Sequence, residues 1–133
     1  MTSFIPESHR DLFADEKRAF AFLGTSMQDG SPHVTPVWFD MQGEEIRLNS
    51  ARGRVKDRNI AARPKVSLAI MDPDDPYRYI HIRGTVVEIT EEGARRHIDL
   101  LAKKYLGEDR YPWYGDEVRV TYIVRPESVW VMP

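Results

Sequence analysis

The chain of 133 residues contains no cysteine, which excludes disulfides, thiolate catalysis, iron–sulfur clusters and Cys-ligated zinc. It has no apolar run near the roughly 20 residues that a membrane-spanning helix needs. Its start, Met1-Thr2-Ser3-Phe4-Ile5-Pro6-Glu7, lacks the basic segment and apolar stretch of a secretory signal. These absences predict a cytoplasmic protein with no membrane insertion. Histidine is scarce: His9, His33, His81 and His97 show neither paired metal-ligand spacing nor an H-E-x-x-H pattern. No metal site is expected, and each histidine reads as structural or exposed. Gly24-Thr25-Ser26-Met27-Gln28 begins like a nucleophile elbow but lacks the closing glycine. No Rossmann or P-loop glycine pattern occurs. Net charge is also nearly absent, at −2, so no global pull towards nucleic acid exists and none is expected as a partner.

What is present is an ordinary globular composition, 41% hydrophobic and 30% charged, which fits a single domain over residues 1–133. Residues 7–14 read as a short helix anchored by Leu12 and Phe13. Residues 19–27 and 33–41 read as the arms of a hairpin around Asp29-Gly30. The second arm alternates Val34, Pro36 and Trp38 with Thr35, Val37 and Phe39, so both faces are expected to be covered. Pro36 belongs at an edge or bulge. A third strand covers 45–49, and a helix covers 53–63, stopped by Pro64. Further strands follow at 66–71 and 78–89, separated by a loop at 72–76. Thr90 is expected to cap a helix whose buried stripe is Ala94, Ile98, Leu101, Ala102 and Tyr105, with Gly107 as its stop. Residues 118–124 and 128–132 read as two closing strands around Arg125-Pro126-Glu127. About six to seven antiparallel strands with two to three helices make a mainly β, α+β fold, a barrel rather than a doubly wound sheet.

Charge is concentrated in one place. From Arg52 to Lys65 there are six basic residues (52, 54, 56, 58, 63 and 65) and one acid, Asp57, a local net of +5. Arg52, Arg54 and Lys56 fall at the N-terminal end of the expected helix, where the helix dipole already disfavours cations. A bound phosphate reverses that sign, because free backbone N–H groups, the dipole and the side chains all favour an anion. Gly53 permits close backbone approach, and Asn49, Ser50 and Asn59 offer polar contacts. From charge alone, a solvated basic helix face remains an equal reading.

The runs Pro32-His33-Val34-Thr35-Pro36-Val37-Trp38-Phe39, Leu48 to Ile60 (LNSARGRVKDRNI) and Arg63-Pro64-Lys65-Val66-Ser67-Leu68, taken in order, resemble the pyridoxamine 5′-phosphate oxidase-like split-barrel proteins, most of all the branch that uses the deazaflavin F420. The likeness continues through Pro76-Tyr77-Arg78-Tyr79, Arg83-Gly84 and Ala102 to Gly107 (AKKYLG), then Val129-Trp130. The resemblance implies a split β-barrel homodimer with its cofactor site at the interface. It further implies an oxidoreductase passing a hydride from reduced F420 to a small organic acceptor, with FMN as the alternative cofactor and a non-catalytic flavin-binding protein as the alternative function. It places the cofactor phosphate on Arg54, Val55, Lys56 and Asn59, with Lys56 the most characteristic. The ring lies along Thr35, Pro36, Val37 and Trp38, Asn49 and Ser50 stand near the ring and ribityl chain, and Tyr77 and Arg78 match a region near the cofactor in some members. No catalytic side chain is implied, since the cofactor carries the chemistry.

Overall fold

The computed structural model describes residues 4–132. Seven strands, β1 (Ala21–Ser26), β2 (Pro32–Val37), β3 (Phe39–Gln42), β4 (Glu45–Ala51), β5 (Lys65–Asp72), β6 (Asp75–Thr90) and β7 (Arg119–Met132), form one antiparallel sheet in the order β2-β1-β5-β6-β7-β4-β3. Helix α1 (Val55–Ala62) follows β4 and helix α2 (Ala94–Leu106) follows β6, while Glu7–Phe13 and Asp15–Lys17 are short 3₁₀ turns. The two outermost strands, β2 and β3, are consecutive in the chain with only Trp38 between them. One residue spans under 4 Å, so the sheet must curl until its edges meet. This is the expected split barrel, mainly β with helices added.

Alternation along the strands turns Leu23, Ile46, Leu48, Leu68, Ile70, Ile80, Ile82 and Tyr122 into one interior, each nearly inaccessible to solvent. Leu12 and Phe13 of the first 3₁₀ turn plug it from the side of Phe39, with the Phe13 and Phe39 rings edge to face at 5.8 Å. Ile60 of α1 fills it from the far end of β1. Burial of this apolar surface is the main term holding the sheet closed. Helix α2 lies outside the barrel, against β4 and β7. Among the described residues no helix is long and apolar enough to cross a membrane.

The expected arm 33–41 is thus two strands on opposite edges. Trp38 stacks on Tyr105 of α2 at 5.2 Å, and α2 supplies what the strand change leaves unpaired. The Phe39 N–H donates to Tyr105 Oη at 3.2 Å, and Lys104 Nζ donates to the Phe39 carbonyl at 2.7 Å. Tyr105 Oη in turn donates to the Ala19 carbonyl at 2.6 Å. Burial draws the Lys104 ammonium below the usual lysine value and pushes the Tyr105 phenol up. Tyr105→Phe removes one buried acceptor and one buried donor, and its expected cost is about 1 to 3 kcal/mol. Urea denaturation checks this: an unchanged midpoint would show that Tyr105 Oη does not hold the strand change.

Other boundaries also differ from expectation. The two closing strands are one: β7 runs through Pro126, which lies opposite Gly84 at a register shift in β6. A Cβ on Gly84 would come within 2.5 Å of the Arg125 carbonyl, so the glycine makes room for a bulge that absorbs the proline without a turn. The loop at 72–76 tightens to a two-residue hairpin closed by Asp72 opposite Asp75. Thr90 belongs to β6 and accepts from the Glu92 N–H at 3.2 Å, while α2 starts after left-handed Gly93. The segment 7–14 is 3₁₀ rather than α. The face carrying Val34 and Pro36 is open, with Val34 65% exposed, because β2 is an edge strand with no layer over it.

Candidate functional site

Between β4 and α1 the chain turns through Gly53, whose φ of +87° is left-handed backbone that glycine adopts without cost. Arg54 is extended and precedes α1 with no side-chain cap. The first-turn N–H groups of α1 therefore have no intrahelical acceptor. Asp57, the lone acid of the basic run, is buried and holds the turn. Its Oδ2 accepts the Gly53 N–H at 3.0 Å, and its Oδ1 accepts the Tyr122 hydroxyl at 2.6 Å. Burial, together with the hydrogen bond to Asp57, raises the Tyr122 phenol above its usual range.

The six basic residues separate by partner. Arg52 donates to Glu91 at 2.9 Å and lies 3.5 Å from Asp57. Arg63 donates to the Ser26 carbonyl at 2.8 Å, and Lys65 pairs with Glu127 at 3.6 Å. Arg58 points to solvent. Among the described residues Arg54 and Lys56 make no ion pair, and both enter a cleft of about 220 Å³ together with Arg119 of β7. Burial lowers the Lys56 ammonium pKa, and the neighbouring Arg54 and Arg119 lower it further. Arg119 is 4% exposed. Its Nε donates to Asn49 Oδ1 at 3.0 Å, and its buried Nη1 has no hydrogen-bond acceptor among the described residues. The nearest carboxylate, Glu117, is 3.7 Å from Nη1. Phe20, Pro36, Trp38, Tyr111 and Trp113 wall the cleft, with Ile98 and Leu101 of α2 behind them. Three cations with one loosely placed acid, beside an aromatic wall and a helix N-terminus, suit a ligand with an anionic group and a flat apolar body.

Three larger hollows lack this imbalance: two of about 430 and 580 Å³, and one of about 420 Å³ where Arg47 and Arg96 stand with Glu88 and Glu92. In the first, Lys65 is matched by Glu127. In the second, Arg47 is bound by Asp40 at 2.7 Å and Lys104 faces Asp15 at 3.9 Å.

Of the residues singled out by sequence, Pro36, Val37, Trp38, Asn49, Arg54 and Lys56 meet at this cleft. The others are elsewhere. Asn49 and Ser50 alternate along β4, so Ser50 faces the barrel interior, 1% exposed. Thr35 and Val55 do not line the cleft. The Asn59 amide is committed to fastening α1 to β1, donating to Thr25 Oγ1 at 3.0 Å and accepting from Arg63 at 3.3 Å. Arg78 binds the 3₁₀ turn and the β5–β6 hairpin through Asp11, the Ser8 carbonyl and Asp72, and Tyr77 is 82% exposed. Arg119 and Tyr111 escaped the sequence reading, and Trp113, by sequence an aromatic of the core or an interface, lines the cleft. A cation opening a strand that is otherwise buried, Arg-Val-Thr-Tyr-Ile-Val, was the available signal.

A family model described as pyridoxamine 5′-phosphate oxidase matches residues 5–132. Among solved structures, one called F420 reductase is 34% identical, with a TM-score of 0.84, covering 95% of this chain and 98% of that one. A conserved hypothetical protein from Mycobacterium tuberculosis is 24% identical at a TM-score of 0.75, covering 98% and 86%. A putative pyridoxamine 5′-phosphate oxidase from Listeria innocua is 17% identical at 0.71, covering 95% and 96%. No curated protein matches. The match along nearly the whole length, on a barrel of this topology, makes the chain a member of the pyridoxamine 5′-phosphate oxidase family.

Proposed function

We propose that the protein is an oxidoreductase that binds reduced F420 and delivers its hydride to a small organic acceptor. The observation that carries this reading is the cleft in which Arg54 and Lys56 make no ion pair among the described residues, beside the backbone of Pro36 to Trp38. The 34% identity to a structure named F420 reductase favours the deazaflavin over FMN. Arg54, Lys56 and the free N–H groups of α1 hold the phosphate. The Pro36–Trp38 backbone supports the ring, Asn49 borders it, and Asn59 fastens α1 to β1 beside the site. Trp38 and Tyr111 exclude water from the ring. Bound reduced cofactor supplies the hydride, and the chain supplies position and polarity.

A single chain offers about 220 Å³ here, less than the roughly 300 to 1,000 Å³ usual for such sites. Phe20, Phe22, Val34 and Pro36 next to it are open. The proposal therefore includes a homodimer in which a second copy covers this face and completes the site, with exposed Tyr77 available to meet the partner. Titration of apoprotein with F420 and FMN, combined with sedimentation, tests both parts. The expected result is a dimer that binds F420 more tightly. Tighter FMN binding selects the FMN-dependent alternative, and binding of neither, or full affinity in a monomer, overturns the reading. Turnover with a panel of acceptors separates an enzyme from a non-catalytic flavin-binding protein.

A further inference from the structure

Arg119 presents a buried cation with an unmade hydrogen bond, and a chain of polar side chains runs from it through the outer layer of the protein. Its Nε donates to Asn49 Oδ1 at 3.0 Å. The amide nitrogen of Asn49 faces the Ala94 carbonyl at 2.9 Å, His97 Nδ1 at 3.2 Å and Thr121 Oγ1 at 3.4 Å. His97, 2% exposed, is 3.0 Å from Thr121 Oγ1 through Nδ1, and its Nε2 meets Asp40 Oδ1 at 2.9 Å. Asp40 is also gripped by Arg47 at 2.9 and 2.7 Å. Burial alone would raise the Asp40 carboxyl pKa, but the bonds from His97 and Arg47 outweigh it and hold it below the usual range.

The direction of every bond follows. An ionised Asp40 only accepts, so His97 Nε2 carries a proton, and the Asn49 amide nitrogen, which must donate to the Ala94 carbonyl, faces Nδ1 and makes it an acceptor. Asn49 must then turn its NH₂ towards His97 and Ala94, which leaves its oxygen, and no donor, for Arg119. With Nε secured, the fork of the guanidinium is fixed and Nη1 is left to bond an incoming anion in the cleft shared with Arg54 and Lys56.

We propose that Arg119 is a third ligand for the anionic group of the cofactor and that the Asp40–His97–Asn49 chain positions it. His97 and Asn49 are positioning residues in this scheme. The identity of the anion as a cofactor phosphate rests on the function proposed above, whereas the orientation of Arg119 does not.

The test uses the full-length protein and three probes: inorganic phosphate, F420 and FMN. Arg119→Gln is expected to raise the dissociation constant about 10-fold, as loss of one charge-assisted contact does. His97→Gln keeps a donor for Asp40 but places no acceptor at the Nδ1 position. It is expected to weaken binding roughly 3- to 10-fold in the wild type and to have no further effect in Arg119→Gln, as coupled neighbours behave. His97→Asn, whose oxygen can occupy the Nδ1 position, is expected to restore affinity. In the apoprotein, the NMR signal of the Arg119 Nε–H should shift and broaden in His97→Gln and recover in His97→Asn. Equal effects of His97→Gln with and without Arg119, or an Arg119→Gln protein that binds phosphate normally, overturn the proposal. Failure of the wild type to bind either cofactor, with the NMR and phosphate results as expected, overturns the proposed function and leaves Arg119 as a positioned anion ligand.

Discussion

Lys56→Ala is expected to bind cofactor about 10- to 150-fold more weakly, the value of one lost charge-assisted hydrogen bond of roughly 1.5 to 3 kcal/mol, while the apoprotein melts no lower than wild type. The second half of this result follows from the surroundings of Lys56. It is half buried, has no ion pair among the described residues, and is depressed first by burial and then by Arg54 and Arg119, so its charge opposes folding of the empty protein. The Lys56 ammonium releases its proton more readily folded than unfolded. The penalty is therefore fully present below the depressed folded value and fades as pH rises from there to the ordinary lysine pKa of about 10.4. In the wild-type apoprotein this contribution makes stability climb over that window, and Lys56→Ala should lack it. Thermal melts with and without cofactor across pH check both halves. A mutant that melts lower yet binds normally would make Lys56 a structural lysine and remove the proposed phosphate site.

Asp57→Ala should give the opposite pattern, with stability and affinity falling together. Its carboxylate accepts from the buried Tyr122 hydroxyl and from the Gly53 N–H. Two hydrogen bonds to a charged acceptor, at roughly 1.5 to 3 kcal/mol each, put the expected loss at about 3 kcal/mol or more. That corresponds to a melting temperature lower by about 10 °C for a chain of this size. The same loss frees the turn at Gly53 that sets Arg54 and Lys56 side by side, so cofactor binding weakens although no ligand has been removed. Asp57→Asn, which offers one oxygen where two are used, should fall between. An Asp57→Ala protein with wild-type melting would show that water replaces the carboxylate and that the turn is held by other means.

The features legible in the sequence are those set by near neighbours. Asp29-Gly30 closes the first hairpin, with the Met27 N–H donating to the Ser31 carbonyl at 2.8 Å. Pro64 ends α1, Gly107 ends α2 in a left-handed conformation, and the stripe from Ala94 to Tyr105 is buried. What escaped depends on residues far apart. The alternation through 33–41 runs unbroken across Trp38, and only Tyr105 and Lys104, more than sixty positions later, show that the chain changes sheet edge there. Pro126 reads as a turn until Gly84 is seen opposite it. The basic run reads as one cluster because Glu91, Ser26 and Glu127, which neutralise or engage part of it, lie outside it. His97 did carry a local signal: it falls on the buried side of α2 at helical spacing from Ala94 and Leu101, and a polar residue there needs partners.

The edge position of β2 bears on aggregation. The Met27 N–H donates to the Ser31 carbonyl, which puts that pair in the hydrogen-bonded phase of the antiparallel register, so by alternation Thr25–His33 and Leu23–Thr35 are the bonded pairs. The N–H positions of residues 32, 34 and 36 therefore point away from the sheet, and two of the three are prolines, which have none. Val34 is the single donor that this border offers across five residues. A stray strand from another molecule finds the outward carbonyls of residues 32, 34 and 36 but a single N–H, so the ladder it can build is incomplete, although the side chains beside it are apolar and open. The protein thus leaves an apolar face open while withholding most of the donors of the backbone template on which fibrils and disordered clumps grow. Replacing both prolines with threonine would restore that template without touching the core.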